Sequence, residues 1–255
     1  MMFEEVRNTM TIVELEVRRL RHDYTDIAVR SLQPIIWLLV FGNIFSRARV
    51  IDTGSYSYMQ FVAPGILAQS VLFIAIFFGI MLVWDRDSGN LAKLLVSPAS
   101  RFSIILGKCL SASVRSIAQA IVVLALILVL GVPLYPNPGY IVLVIPVIVL
   151  ISAVSAGISI LFASIFRTRE RVMGIGQLLT MPLFFTSNAL YPITMMPDWL
   201  RYIAWGNPLT YGVDLLRALM VTGDFSQAPL DLAVLFGYLL VLTSACSVLL
   251  KRIME

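Results

Sequence analysis

The chain has 255 residues, 59% of them hydrophobic and 13% charged, with a mean hydropathy of +0.89. Soluble domains carry roughly a quarter of their residues as charges, interspersed with the apolar ones; here charge-free runs cover 31–46, 53–84, 116–166, 172–197 and 232–250. A water-soluble globular fold is excluded, and the net charge of +4 has to be read by where its cations sit.

Residues 1–30 mix six acids with five bases and lack an apolar core, so a cleavable leader is not expected. Within 3–30, Val6, Met10, Val13, Val17, Leu20, Tyr24 and Ile27 recur at alternating spacings of four and three, one stripe of a helix. Arg7, Glu14, Arg18 and Arg21 lie off that stripe. The segment is too charged to span a bilayer and reads as an amphipathic helix lying on its cytoplasmic interface; a coiled-coil arm fits the same spacing.

A spanning helix needs about 20 mostly apolar residues. The run 116–166 is too long for one span and is interrupted between Gly131 and Gly139 by Pro133, Pro136 and Pro138. Six spans are therefore expected, at about 31–46, 60–84, 104–131, 140–166, 172–190 and 232–250. The first contains Pro34 and should bend there. Fifteen of the nineteen Lys and Arg residues fall on one set of alternating loops, leaving Arg47, Arg49, Arg201 and Arg217 on the other. The positive-inside rule makes the rich side cytoplasmic, with both termini.

The second span is followed by a polar stretch, Asp85–Pro98, in which Leu91, Leu94 and Leu95 form an apolar ridge and Pro98 stops the helix. Such a helix rests on lipid or enters a partner's groove. Farther on, 191–231 is long for a connection. Tyr191, Trp199, Tyr202, Trp205 and Tyr211 give it the aromatic character of a membrane interface, while Pro192, Pro197 and Pro208 cut it into short pieces. Asp214 and Arg217, three apart, can pair on one helical face. The stretch reads as external re-entrant or surface-lying helices, with an aromatic-anchored loop as the plainer alternative.

Several chemistries lack their residues. His22 is the only histidine, and no acid lies inside a predicted span, which removes the ligands of a membrane metalloenzyme and the ionisable groups of an ion-coupled carrier. The only Gly-Lys pair, Gly107 and Lys108, is followed by Cys109 where a phosphate-binding loop needs Ser or Thr. Gly174 and Gly176 read as helix packing, and Cys109 and Cys246 as small core residues. Gln69, Ser70, Gln119, Ser155, Ser159, Gln177, Thr180 and Asn188 are expected chiefly to hydrogen-bond between helices, which weakens the alternative of a passive channel or a non-transporting scaffold.

The motifs Phe185–Pro192, Met196–Leu200 and Asn207–Asp214 with Arg217, preceded by Leu95–Pro98 and the Gly107–Lys108 pair, resemble in order the signature of ABC-2-type transporter permeases, closest to the daunorubicin-resistance and nodulation-factor export branch. The resemblance covers essentially the whole chain. It implies an all-α integral membrane protein: an interfacial helix over 1–30, then a six-span domain over 31–255, with a coupling helix about 85–100 and an external gate segment about 191–231. It also implies a non-enzymatic export subunit with no cofactor of its own, dimerising with a second copy and served by two separate ATPase subunits that bind ATP and Mg. Membrane lipid is the remaining partner; nucleic acid is not one. An importer is less expected, because the family mostly exports.

By the same likeness Asp85, Arg86, Gly89, Leu91, Leu94, Ser97 and Pro98 meet the ATPase. Phe73, Phe77, Phe184 and Asn188 are candidates for the substrate pathway on the second and fifth spans. Pro192, Pro197, Trp199, Asn207, Pro208, Asp214 and Arg217 build the external gate. The location implied is the cell (plasma or inner) membrane, multi-pass.

Overall fold

The computed structural model describes residues 9–14, 24–48, 51, 53–89, 91, 96, 99–166 and 168–253. Among them every regular element is helical. Residues 9–14 are helical; the helix after them, α1, is Tyr24–Ile36, continued by a π-helical turn at Trp37–Gly42 and the short α2, Asn43–Ala48. Pro34 lies inside α1, where it removes a backbone donor, and the helix widens into the π turn just beyond it.

Tyr58–Asp87 forms α3, opened by a capping box: the Ser57 hydroxyl accepts from Gln60 N at 3.2 Å, and Ser57 N donates to Gln60 Oε1 at 3.0 Å. Helix α4, Arg101–Val129, starts at Ser100, whose hydroxyl accepts from Ser103 N. The prolines between Gly131 and Gly139 end that helix as expected, and α5, Pro138–Ile165, begins behind an Asn137 cap with Pro138 in its first turn. Then come α6, Arg169–Phe185; a single 3-10 turn, Ile193–Met195; α7, Asp198–Trp205; α8, Pro208–Arg217; a π turn, Ala218–Thr222; and α9, Ala228–Ile253.

Helices α3 and α5 form the hub. Each packs against the other and against α4, α6 and α8, and α5 also meets α9. A helix that is apolar all round belongs inside a bundle, and the apolar part of α3 is mostly buried, whereas α9 turns Phe236, Leu240, Val241 and Val248 outward. Close approach at the hub rests on small residues. At Gly79 a Cβ would lie 2.5 Å from the Ser159 Cβ, and there the Ser159 hydroxyl donates to Ile76 O at 2.7 Å. Ser116 and Ser152 share a hydrogen bond of 2.8 Å between α4 and α5. Cys109 and Cys246 are free and buried in one apolar cluster.

Among the described residues, five helices are long and apolar enough to cross a membrane: Val29–Ser46, Tyr58–Asp87, Arg101–Val129, Gly139–Ile165 and Ala228–Leu249. The expected span at 172–190 is not among them. Its helix has 17 residues, begins with Arg169, Glu170 and Arg171, and stops at Phe185; at 1.5 Å per residue it is about 25 Å long. Of the N-terminal stripe, Val6, Val17 and Leu20 lie outside the described residues. Within 9–14, Thr9 and Ile12 turn onto α4, with the Thr9 hydroxyl donating to Ser103 O at 3.4 Å and Ile12 covering Gly107, while Met10 of the stripe is 58% exposed.

One backbone contact controls the α3 end of the bundle. A Cβ at Gly65 would lie 2.3 Å from the carbonyl oxygen of Ala189, a backbone atom that cannot swing aside. Gly65→Ala should lower stability by about 1–3 kcal/mol, read as a lower unfolding midpoint in detergent. Gly174→Ala, where nothing lies within 4 Å, should leave the midpoint unchanged or slightly raised.

Candidate functional site

The expected gate segment is made of short helical pieces, and side chains hold those pieces together. Where α6 ends, Asn207 serves two helices at once. Its Nδ2 donates to Leu183 O at 2.6 Å and to Thr186 Oγ1 at 3.0 Å, closing the end of α6; its Oδ1 accepts from Leu209 N at 2.9 Å, opening α8. Pro208 occupies the first position of α8, where its missing N–H costs nothing.

Asp214 and Arg217 pair across one turn of α8 as their spacing predicts, Nη1 to Oδ1 at 3.0 Å. The arginine also donates from Nη2 to Asn188 O at 2.8 Å, and its guanidinium lies 4.1 Å from the centre of the Phe61 ring. Asn188 returns the contact through Nδ2 to Asp214 Oδ1 at 2.6 Å. A charge pair is acceptable in a nearly dry place only when each member is paired and hydrogen-bonded. Through these contacts the pair also holds the turn after α6 against α3, helped by the Tyr58 hydroxyl, which donates to Leu190 O at 3.3 Å.

Helix α7 is of another kind. Trp199, Tyr202, Ile203 and Trp205 are all exposed, on a helix that rests on the bundle through Ala204. Pro192 and Pro197 stand immediately before the 3-10 turn and α7, both with extended backbone. The Arg201 Nη2 donates to Met196 O at 3.1 Å and closes the bend between those two pieces.

At the opposite end of α3, Asp85 pairs with Lys108 of α4, and Asp87 with Arg169 of α6 at 2.6 Å and Arg86 at 3.0 Å. Gly89 takes a left-handed φ of +72° just after the helix, a conformation that favours glycine. The expected docking ridge changes here. Leu91 is completely buried, packed with Leu82, Ile105, Cys109 and Ile160 inside the bundle, so it anchors the segment instead of presenting a face. Leu94, Leu95, Ser97 and Pro98 lie outside the described residues. Val96, which the ridge did not include, is 86% exposed.

The four pathway candidates separate into two pairs. Phe184 is fully buried against Trp37 and Phe185, with ring centroids 5.6 and 5.4 Å away, and Asn188 gives its Nδ2 to Asp214 and its backbone carbonyl to Arg217. Phe73 and Phe77 stack 6.5 Å apart and line an open cleft with Arg30, Gln33, Gln69 and Gln119. Arg30 and Gln33 are not among the residues that the sequence pattern marks for the pathway; their signal is a cation and an amide one turn apart at the mouth of an apolar run.

A family model described as ABC-2 type transporter matches residues 7–221. A protein named as a transport permease, ycf38, in Cyanophora paradoxa is 36% identical over 190 residues, covering 74% of this chain and 65% of that protein. This chain therefore spans a little under two thirds of that relative. The counterpart of the same name in Pyropia yezoensis is 27% identical over 97% of this chain and 86% of its own length. The daunorubicin resistance ABC transporter permease protein DrrB1 of Streptomyces coeruleorubidus is 27% identical over 92% of this chain and 83% of its own.

Removing one member of the half-buried pair should cost more than a change at an exposed position. Arg217→Ala leaves Asp214 unpaired and Asn188 O without its donor; a loss of about 1–3 kcal/mol is expected, seen as a lower unfolding midpoint in detergent. The control Arg101→Ala, at an exposed position, should stay within about 0.5 kcal/mol. Exchanging the two charges should recover only part of the loss, because an aspartate at 217 cannot donate to Asn188 O.

Proposed function

We propose, from the premise that this chain belongs to the ABC-2 type transporter family and is the membrane subunit of an ABC exporter, that it moves a hydrophobic or amphipathic cargo of the drug, lipid or glycan kind out of the cytoplasm. The observation that carries this reading is the broken segment 186–217. Irregular backbone at membrane depth is tolerated only where protein buries it or where it lines a cavity; here Asn207 and Arg217 tie its pieces together, and Tyr58 and the Phe61 ring under the Arg217 guanidinium hold it to the hub helix α3.

In this reading both termini are cytoplasmic and α6 is the fifth of six spans, entering from the cytoplasm and stopping short. The re-entrant α8 with its π turn then seals the external end of the path, and α7 floats its aromatic face at headgroup depth. Residues 1–30 lie along the cytoplasmic interface with Met10 toward lipid, and 31–255 form the transport domain. Two copies enclose the path, and two separate ATPase subunits supply the energy. This chain's sequence offers no phosphate-binding loop, so ATP and Mg belong to that partner. The segment about 85–100 is the coupling region, with Val96 rather than Leu91 turned to the ATPase.

The test is inverted membrane vesicles containing this chain with its ATPase. Daunorubicin, named by the Streptomyces relative, should accumulate with ATP and fail to do so with a non-hydrolysable analogue; equilibration without ATP would instead mark a passive channel. Val96→Glu should cut ATP-driven uptake several-fold while the protein remains inserted and folded. Leu91→Glu should prevent folding altogether, since it puts a charge into an apolar cluster.

A further inference from the structure

We propose that the connection between α4 and α5, residues 131–137, is a latch on the gate, with Tyr135 as its positioning residue. The latch is shut in this structure and has to open for cargo to leave. As a regulator of the gate it rests on the exporter reading above, which puts this end of the bundle outside.

The π turn Ala218–Thr222 cannot complete itself. Gly223 N donates to Ala218 O at 2.8 Å, five residues back, and Gly223 then takes a left-handed φ of +68°, so the chain leaves the helix. Met220 lies in this last turn, where helix carbonyls are left open, and Tyr135 N supplies a donor to its carbonyl at 2.7 Å. The Tyr135 ring covers the same turn. A Cβ at Gly223 would lie 2.5 Å from its Cε2 and 2.6 Å from its Cζ, so both the backbone and the ring require glycine there. Tyr135 stacks on Tyr140 at the start of α5, with ring centroids 5.3 Å apart, and Tyr140 meets the Phe225 ring edge-on at 5.1 Å. One row of rings thus joins the connection, α5 and the chain that follows the π turn.

The connection is also fastened to the hub. Gln60 Nε2 donates to Pro133 O at 3.0 Å, while Oε1 of the same side chain accepts from Ser57 N in the box that opens α3. The segment therefore bridges the start of α3 and the π turn, a second tie between hub and gate beside that of Arg217 over Phe61.

Its construction suits a part that swings as a unit. Gly131, with φ of +69° and nothing within 4 Å of a Cβ placed there, is a hinge at the α4 end. Pro133 and Pro136 fix φ and remove two backbone donors, so the segment cannot pair along its length. Among the described residues its hydrogen bonds to elements other than α4 and α5 are those from Gln60 and to Met220. Net hydrogen-bond energies are modest, and a strap held at two such points opens without unfolding the helices it joins. The Asp214–Arg217 cluster, a charge pair tied to Asn188 and Phe61, is the fixed part of the gate by comparison.

The experiment uses the complete complex with its ATPase in inverted vesicles. Gln60→Cys with Pro133→Cys places thiols at a half-buried and an exposed position, to be joined by a short, membrane-permeant bis-methanethiosulfonate that a thiol reductant cleaves. The wild type, with its buried Cys109 and Cys246, is the labelling control. Locking the strap should lower ATP-driven daunorubicin uptake several-fold while the ATP concentration for half-maximal rate stays unchanged, and reductant should restore it. Tyr135→Ala tests the shut state. Carboxyfluorescein loaded into the vesicles should escape several-fold faster without ATP, and Tyr135→Phe, which keeps the ring and the backbone donor, should restore the seal. If Tyr135→Ala fails to fold, Gln60→Glu keeps the acceptor that caps α3, removes the donor to Pro133 O, and should leak in the same way.

Efficient cross-linking with undiminished uptake overturns the proposal, as does a loss that reductant fails to reverse. So does a lower unfolding midpoint with no leak, which would make the strap a brace. ATP-driven uptake indifferent to the lock removes the latch and leaves the exporter standing. Where the unmodified complex shows no ATP-driven uptake the exporter reading falls, and a leak in Tyr135→Ala that Tyr135→Phe repairs still keeps the latch.

Discussion

On the reading proposed above, the turn after α6 lies at membrane depth, where hydrocarbon offers no hydrogen bonds and every open backbone carbonyl has to be answered by the protein itself. After α6 ends at Phe185 the chain leaves helix until α7 and α8, and the open carbonyls there are met one by one by side chains. Asn207 covers Leu183 O, Arg217 covers Asn188 O, Tyr58 covers Leu190 O, Arg201 covers Met196 O, Thr210 covers Ala204 O, Tyr211 covers Trp205 O and Tyr238 covers Gly206 O. Those donors sit on α3, α7, α8 and α9, so satisfying one short stretch fixes where four helices stand. The small residue at Gly65 follows from the same demand, because Ala189 is drawn so close to α3 that no side chain fits between them.

The hub obeys a related rule. Between helices in lipid the hydrophobic effect gives no drive to associate, and contact has to come from close packing and a few hydrogen bonds. Helix α5 brings Ser152, Ala153, Ala156, Gly157 and Ser159 to its buried faces, and its neighbours approach on that small-residue surface: Ser113 donates to Val149 O at 3.1 Å and Cys246 meets Gly157 O at 3.7 Å. The polar residues of the spans divide accordingly. Gln119 and Ser159 reach another helix, whereas Ser70, Ser155 and Thr180 bond back to Leu67, Ile151 and Gly176 of their own, and Gln177 is exposed.

What could be read from sequence was whatever acts over short range. Run lengths gave the five apolar spans, the prolines between Gly131 and Gly139 gave the break after α4, and the spacing of Asp214 and Arg217 gave their pair. Long-range partners were out of reach. The hold of Arg217 on Asn188 crosses 29 positions, and nothing in the local pattern says that Asn207 ties the end of α6 to the start of α8. The early stop of α6 was hidden for the same reason, since hydropathy continues through Ala189 and Leu190 after the backbone has left the helix. At Leu91 the ridge was real as a pattern but its direction was not given: an apolar residue at a bundle's end buries itself against the nearest core, here the cluster of Leu82 and Ile105. Met10 and Ile12 show the same ambiguity, because a helix between lipid and protein can have two apolar faces.

Helices α3 and α6 are cross-tied at both ends. At one end Asp87 of α3 holds Arg169 of α6. At the other, Tyr58, Phe61 and Gly65 of α3 meet the turn after α6 and Arg217 of α8, while Asn207 grips Leu183 and Thr186. Close-packed helices move as rods rather than stretching, so a displacement applied near Asp85–Leu91 is carried along α3, which at 30 residues is about 45 Å long, to the segment 186–217. The two rods also carry prolines near that far end, Pro64 in α3 and Pro182 in α6. A proline inside a helix removes one hydrogen bond and makes the place where it bends. On the coupling reading proposed above, the motion would be delivered stiffly over most of the rod and absorbed beside the stretch whose structure depends on individual side chains.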